Sequence, residues 1–145
     1  MNNIFEISKN VQKALDLKKP IVALESTLIS HGLPYPDNIK VANESINAVQ
    51  DNGLVAATIG IINGKVKIGL SEDDINILAK DKNVQKVSNH NIKLSIYKKE
   101  NAATTVASTI SIASIFGIKF FATGGIGGVH LNAENTYDVS ADLYS

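Results

Sequence analysis

Leu54–Leu70 reads LVAATIGIINGKVKIGL. Two apolar segments, LVAATIGII and KVKIGL, flank the pair Asn63–Gly64. Both central positions of a two-residue hairpin turn of this kind need positive φ, and Asn-Gly supplies it at low cost. The stretch therefore predicts two antiparallel strands. What surrounds the hairpin then decides the fold class.

On the N-terminal side, Ser8 can cap a helix whose apolar positions Val11, Ala14 and Leu15 recur at helical spacing, ending at Lys18–Lys19–Pro20. IVALES follows as a short buried strand, and TLISHGLPYP reads as a loop containing Gly32, Pro34 and Pro36. Asp37 is placed to cap a second helix, with Ile39, Ala42, Ile46 and Val49 as its inner stripe and Gly53 as its stop. On the C-terminal side, SEDD (Ser71–Asp74) resembles a capping box that opens a third helix with Ile75 and Leu78 inward. KVSNHNIKLSIY reads as extended. Thr104 to Phe116 is expected to be a fourth helix, and IKFFATG a strand leading to a glycine loop. Helices alternate with apolar strands, so the chain is expected to be α/β: a mixed, largely buried sheet flanked by helices. Residues 1–145 read as part of one domain without an internal linker. The chain stops where a further helix would start, so the sheet is expected to be incomplete at the C-terminus.

Composition narrows the function. The 145 residues carry 14 basic and 14 acidic side chains, a formal net charge of zero. Such a balance leaves no electrostatic footprint for nucleic acid or an anionic membrane, so a small molecule is the expected partner. All the basic residues are lysine, so a bound phosphate would be held by lysines, hydroxyls and main-chain N–H groups. Cysteine is absent, which excludes thiolate nucleophiles and Cys-ligated metals. The N-terminus lacks the pattern of a secretory signal, and a cytoplasmic location is expected. The apolar run Ala102–Ala122 is interrupted by Ser, Thr, Gly117 and Lys119, and reads as helix, stop and strand in preference to a membrane span.

Three constellations could carry chemistry. The glycine loop in FFATGGIGGVH (Phe120–His130) lacks the third glycine of a dinucleotide fingerprint and the Gly-Lys-Ser/Thr of a P-loop. A tight turn and a nest of N–H groups beyond a strand end both account for it. Glu25 ends a strand among Ser26, Thr27, Ser30 and His31; there it could be a general acid with a raised pKa, or a cap for loop N–H groups. Ser30 and His31 are adjacent, which is poor geometry for a nucleophile and its base, and no nucleophile elbow is present. In NTYDVSAD, Asp138 could bind a hard divalent cation with water, or the acidic cluster could belong to a helix start.

Taken together, VALESTLISHGLPYP, GLVAATIGIINGKVKIGLS, KVS, ATTVASTI, FATGGIGGVH and AENTYDVSADL resemble the pseudouridine-5′-phosphate glycosidase (pseudouridylate synthase) family, in order from about Lys9 to Leu143. The resemblance implies reversible cleavage of the C–C glycosidic bond of pseudouridine 5′-phosphate to uracil and ribose 5-phosphate. It also implies a divalent metal, usually Mn2+, and a cytoplasmic homotrimer. The family's mechanism opens the ribose ring and joins a lysine amine to the sugar's first carbon while a glutamate moves protons. An iminium electron sink suits a C–C bond that has no oxygen leaving group. Carried over by position, the proton donor falls on Glu25, substrate contacts on Lys86, Val106, Ser140, Ala141 and Asp142, and the metal ligand on Asp138. The family's nucleophilic lysine lies downstream of DVSADL, whereas the last lysine here is Lys119. The chain is therefore expected to correspond to an N-terminal half, inactive alone. A basic pair after KVS and an Arg-Gly after the histidine are also replaced. The alternatives are a non-catalytic or split-gene sugar-phosphate-binding module needing a partner chain, and an unrelated nucleotide-binding α/β domain.

Overall fold

The computed structural model describes residues 4–128, 133–136, 140 and 142. Its elements run β1 (Phe5–Ile7), α1 (Lys9–Asp16), β2 (Ile21–Leu24), a single π-helical turn (Leu28–Gly32), α2 (Asp37–Asp51), β3 (Val55–Ile62), β4 (Lys65–Ile68) and α3 (Glu72–Lys80). There follow β5 (Gln85–Val87), α4 (Ile92–Tyr97), β6 (Ala102–Thr104), α5 (Val106–Ile115), β7 (Phe120–Ala122) and α6 (Ala133–Thr136).

The strands form one mixed seven-stranded sheet built around β3. Residues 59–62 of β3 pair antiparallel with β4 through the turn at Asn63 (φ 50°) and Gly64 (φ 74°). On the opposite edge, residues 55–58 pair in parallel with β2, and Gly60 and Ile61 pair antiparallel with β6. Thus β2 and β6 occupy successive halves of one edge and run toward each other. Beyond them lie β7, parallel to β2, and β5, parallel to β6, while β1 pairs in parallel with β4.

Alternation along β3 divides the core between two faces. Ala57, Ile59 and Ile61 pack with Val11, Ala14, Ile112 and Ala113 under α1 and α5, and Ile92 and Ile96 of α4 lie against the same cluster. Ile62 packs on the other face with Ile29, Ala42, Ile75 and Leu78, under α2 and α3. Gly60 belongs to that second face, where an added Cβ would stand 3.1 Å from both Leu70 and Leu78. The α1 start is as the sequence predicts: Ser8 Oγ accepts from Val11 N at 3.3 Å. The α3 capping box is present too, with Ser71 and Asp74 bonded reciprocally.

Four expectations need correction. KVSNHNIKLSIY is extended only through Val87. The Asn91 side chain then accepts from Ser88 N at 2.7 Å and donates to Lys86 O at 3.1 Å, turning the chain into α4. Apolar residues at 92, 94 and 96 fit a two-residue period, but only Ile92 and Ile96 face the core, whereas Leu94 is exposed. TLISHGLPYP contains the π-helical turn, which Asn38 braces by donating to Ile29 O at 2.7 Å and Ala79 O at 3.1 Å. Asp37 is the first residue of α2, after Pro36, instead of its cap. Thr104 belongs to β6, and α5 begins at Val106. Among the described residues, no helix is long and apolar enough to cross a membrane.

Candidate active site

Where β2 and β6 meet end to end, both chains must leave the sheet. Such a divergence opens a crevice beyond strand ends, the usual place for a ligand in an α/β sheet. Here Glu25–Ser26–Thr27 departs from one side and Thr105–Val106 from the other. A buried hydroxyl network locks the junction. Ser26 N donates to Thr104 O at 3.3 Å, Thr104 N to Ser26 Oγ at 2.9 Å, and Thr27 Oγ1 to Thr104 O at 2.8 Å. Thr104 Oγ1 donates to Ile59 O at 2.7 Å and accepts from Thr109 Oγ1 at 2.9 Å. Fully satisfied networks of this kind rigidify their surroundings, so Glu25 leaves β2 from a fixed backbone.

The Glu25 carboxyl is half-buried at this crevice. Burial raises its pKa above the ordinary glutamate value; a hydrogen bond from Thr123 opposes this, the charge of Asp142 adds to it, and Lys86 pulls it back. The net shift is upward, as a proton donor requires. Thr123, at the end of β7, places Oγ1 2.5 Å from Glu25 Oε1. That same hydroxyl lies 2.9 Å from Gly125 O and 3.2 Å from Gly125 N.

The glycine loop is closed from below by Asp142. One carboxylate oxygen accepts from Gly127 N and the other from Ala107 N, each at 3.1 Å. Ala107 lies in the first turn of α5, so the carboxylate sits at a helix N-terminus, where negative charge is favoured. Ser140 joins the same arrangement: its N–H donates to Gly128 O at 2.9 Å and its Oγ accepts from Asp142 N at 3.1 Å.

Of the residues expected at the site, Glu25, Lys86, Ser140 and Asp142 are gathered with the glycine loop. Lys86 is exposed on β5, and its charge reaches both Glu25 and His31. Val106 opens α5 at the junction and is buried there, only 3% exposed. Asp138 and Ala141 lie outside the described residues. The Ser30 hydroxyl is buried without a hydrogen-bond partner among the described groups, so it forms no pair with His31. His31 itself is held below the usual histidine range, by partial burial first and by Lys86 second, against hydrogen bonds at Gln85 and Val84.

Sequence reasoning missed Thr123 and the Ser26–Thr104 lock. Thr123 directly precedes the glycines, but its partner Glu25 is 98 positions away, a separation that no local pattern reports. A space of about 560 Å³ runs from Glu25, Thr123 and Gly124 between α2 and the β2–β7 surface, past Leu24, Ile29 and Val49.

The described residues do not make a cation site by themselves. No group of three or more His, Cys, Asp or Glu side chains gathers among them. Both Asp142 oxygens are engaged by amides. The expected Mn2+ rests on Asp138.

The sequence model of the family described as indigoidine synthase A like protein matches residues 10–145. Pseudouridine-5′-phosphate glycosidase of Caldanaerobacter subterraneus is 50% identical over 143 residues, covering 99% of this chain and 47% of that protein. The Escherichia coli protein of the same name is 52% identical over 141 residues, covering 97% of this chain and 45% of its own length. Among solved structures, the prealnumycin C-glycosynthase AlnA in complex with ribulose 5-phosphate superposes with a TM-score of 0.82 at 40% identity, covering 99% of this chain and 46% of that one. An indigoidine synthase A-like protein from Thermotoga maritima gives the same TM-score at 33% identity, covering 99% and 47%. The chain spans about half the length of the curated relatives it matches.

Proposed function

Because this chain belongs to the indigoidine synthase A-like family, we propose that it supplies the acid and sugar-phosphate side of a pseudouridine-5′-phosphate glycosidase, cleaving the C–C glycosidic bond to give uracil and ribose 5-phosphate. The observation that carries this reading is the meeting of Glu25, Lys86 and the Asp142-held glycine loop at one strand junction. Relatives identical to this chain at about half of the aligned positions bear that enzyme's name, and a structural neighbour is a C-glycosynthase holding a sugar phosphate.

When a C–C glycosidic bond breaks, the carbon of the departing base must gain a proton as the bonding electrons move onto it. Glu25, whose pKa burial raises, is the donor. Lys86 attracts the phosphate as a point charge, and the loop N–H groups with Ser140, Ala141 and Asp142 orient the sugar. Val106 shapes the junction from the start of α5. A divalent cation such as Mn2+ would be held by Asp138 and would add positive charge beside the sugar phosphate. The same reading makes the enzyme a cytoplasmic homotrimer.

The amine that captures the sugar is not among the lysines at the crevice. Lys119, the last lysine of this chain, precedes β7 and so lies at the end of that strand opposite Thr123. Calorimetry on the 145-residue chain is expected to detect ribose 5-phosphate binding, while a chromatographic assay detects no uracil from pseudouridine 5′-phosphate. Adding the lysine-bearing segment in trans is expected to restore release. Binding without release in the presence of that segment would support a purely sugar-phosphate-binding module instead. Absence of ribose 5-phosphate binding would overturn both.

A further inference from the structure

Thr123 is assigned no role by the reaction just described, yet it stands between the acid and the loop. A threonine hydroxyl has one proton to give and two lone pairs. Three groups compete for it: Glu25 Oε1 at 2.5 Å, Gly125 O at 2.9 Å and Gly125 N at 3.2 Å. The amide N–H can only donate, so it takes one lone pair. The remaining two contacts are both to oxygen, and Thr123 can donate to only one of them at a time.

The choice follows from the state of Glu25. When the carboxyl carries its proton, it can donate to the second lone pair of Thr123, which leaves the threonine proton for Gly125 O. All three contacts are then satisfied. When the carboxyl is ionised it is acceptor-only, and a hydrogen bond to a charged acceptor is stronger than one to a neutral carbonyl. Thr123 must then turn to Glu25, and Gly125 O loses its partner.

We infer that Thr123 is a positioning residue that couples the protonation of Glu25 to the glycine loop, holding the loop closed while the acid is loaded and releasing Gly125 once the proton has been given. This rests on the reading of Glu25 as the acid. In the proposed reaction the proton passes from Glu25 to the departing base, and the Thr123 hydroxyl only rotates, so no proton or electron is left unaccounted for. The contact region is exposed, so water can replace Thr123 at Gly125 O, and the switch loosens the loop without breaking the fold. The far side of the loop stays anchored through Gly127 to Asp142. Among the described residues, the charges facing Glu25 are Lys86 from β5 and Asp142 from beyond α6, and His31 on the π-helical turn senses Lys86 in its turn.

The test is an NMR titration of the 145-residue chain without substrate, following the Glu25 side-chain carbon and the Gly125 amide together. The expected result is a single midpoint for both. Thr123→Val keeps the side-chain shape and is expected to abolish the Gly125 response while Glu25 still titrates. Thr123→Ser is expected to restore it. A Gly125 amide that ignores Glu25 in the natural chain, or follows it unchanged in Thr123→Val, would overturn the coupling. Unaltered β3 amide shifts serve as the folding control. Ribose 5-phosphate binding is measured separately, so failure of the proposed function and failure of the coupling give different results.

Discussion

Glu25 illustrates how one side chain takes its chemistry from neighbours remote in sequence. Burial would raise its pKa without help, yet Thr123, Asp142 and Lys86 each adjust the result. Asp142 acts twice, once by bonding two backbone amides and once by placing negative charge near the acid. Asp142→Asn removes the charge and keeps one acceptor oxygen. The Glu25 midpoint is expected to fall, read from the same side-chain carbon, and an unchanged midpoint would show that Asp142 does not tune the acid. For the phosphate contact proposed for Lys86, replacement by Ala is expected to cost about 1.5–3 kcal/mol, a loss of about 10- to 150-fold in ribose 5-phosphate affinity by calorimetry. Local spacing made Glu25 and Lys86 legible only as single residues, and the family resemblance alone implied that they share a site.

Single elements divide by whether their signal is local. The hairpin was readable because both turn residues adopt the positive φ that Asn-Gly predicts. The position is also crowded: a Cβ on Gly64 would lie 2.6 Å from Ile96 O and 2.8 Å from Lys99 Cα. Gly64→Ala is expected to cost more than about 1 kcal/mol in urea unfolding, since strain adds to the unfavourable φ. The α3 capping box was equally local, but its charge partner came from the sheet. Lys67 Nζ lies 2.8 Å and 3.0 Å from the two oxygens of Asp74. Burial alone would raise the Asp74 pKa; Lys67 and Ser71 outweigh it and hold the carboxyl below its usual range. A depressed acid stabilises the fold above its unfolded pKa, about 3.9, and loses that contribution as pH falls through the folded value. Lys67→Met should therefore lower stability at pH 7 and make little difference at the acid end of a denaturation series. By contrast, β1 and β6 have three residues each, too few for a period to show. In α4 the spacing admitted both helix and strand, and the Asn91 side chain settled it.

Across the whole molecule, the sheet is finished unevenly. Among the described residues β7 pairs only with β2, and Phe120 on it is 59% exposed. An apolar edge with free backbone groups invites strand pairing, so the isolated chain is expected to self-associate as concentration rises. Light scattering after gel filtration measures this. Phe120→Lys should shift the distribution toward the monomer, and an equally associated variant would place the contact elsewhere. What the amino-acid sequence determined by itself was whatever depends on near neighbours: the α/β alternation, the Asn63–Gly64 turn, the caps at Ser8 and Ser71, and the motifs that reveal the family. Tertiary structure alone decided that β2 and β6 share one edge of β3, that Asp142 bridges the glycine loop and α5, and that Thr123 reaches Glu25. Local propensity acts over a few residues, whereas these contacts join strands and loops far apart in the chain, and only packing around β3 brings them within hydrogen-bond reach.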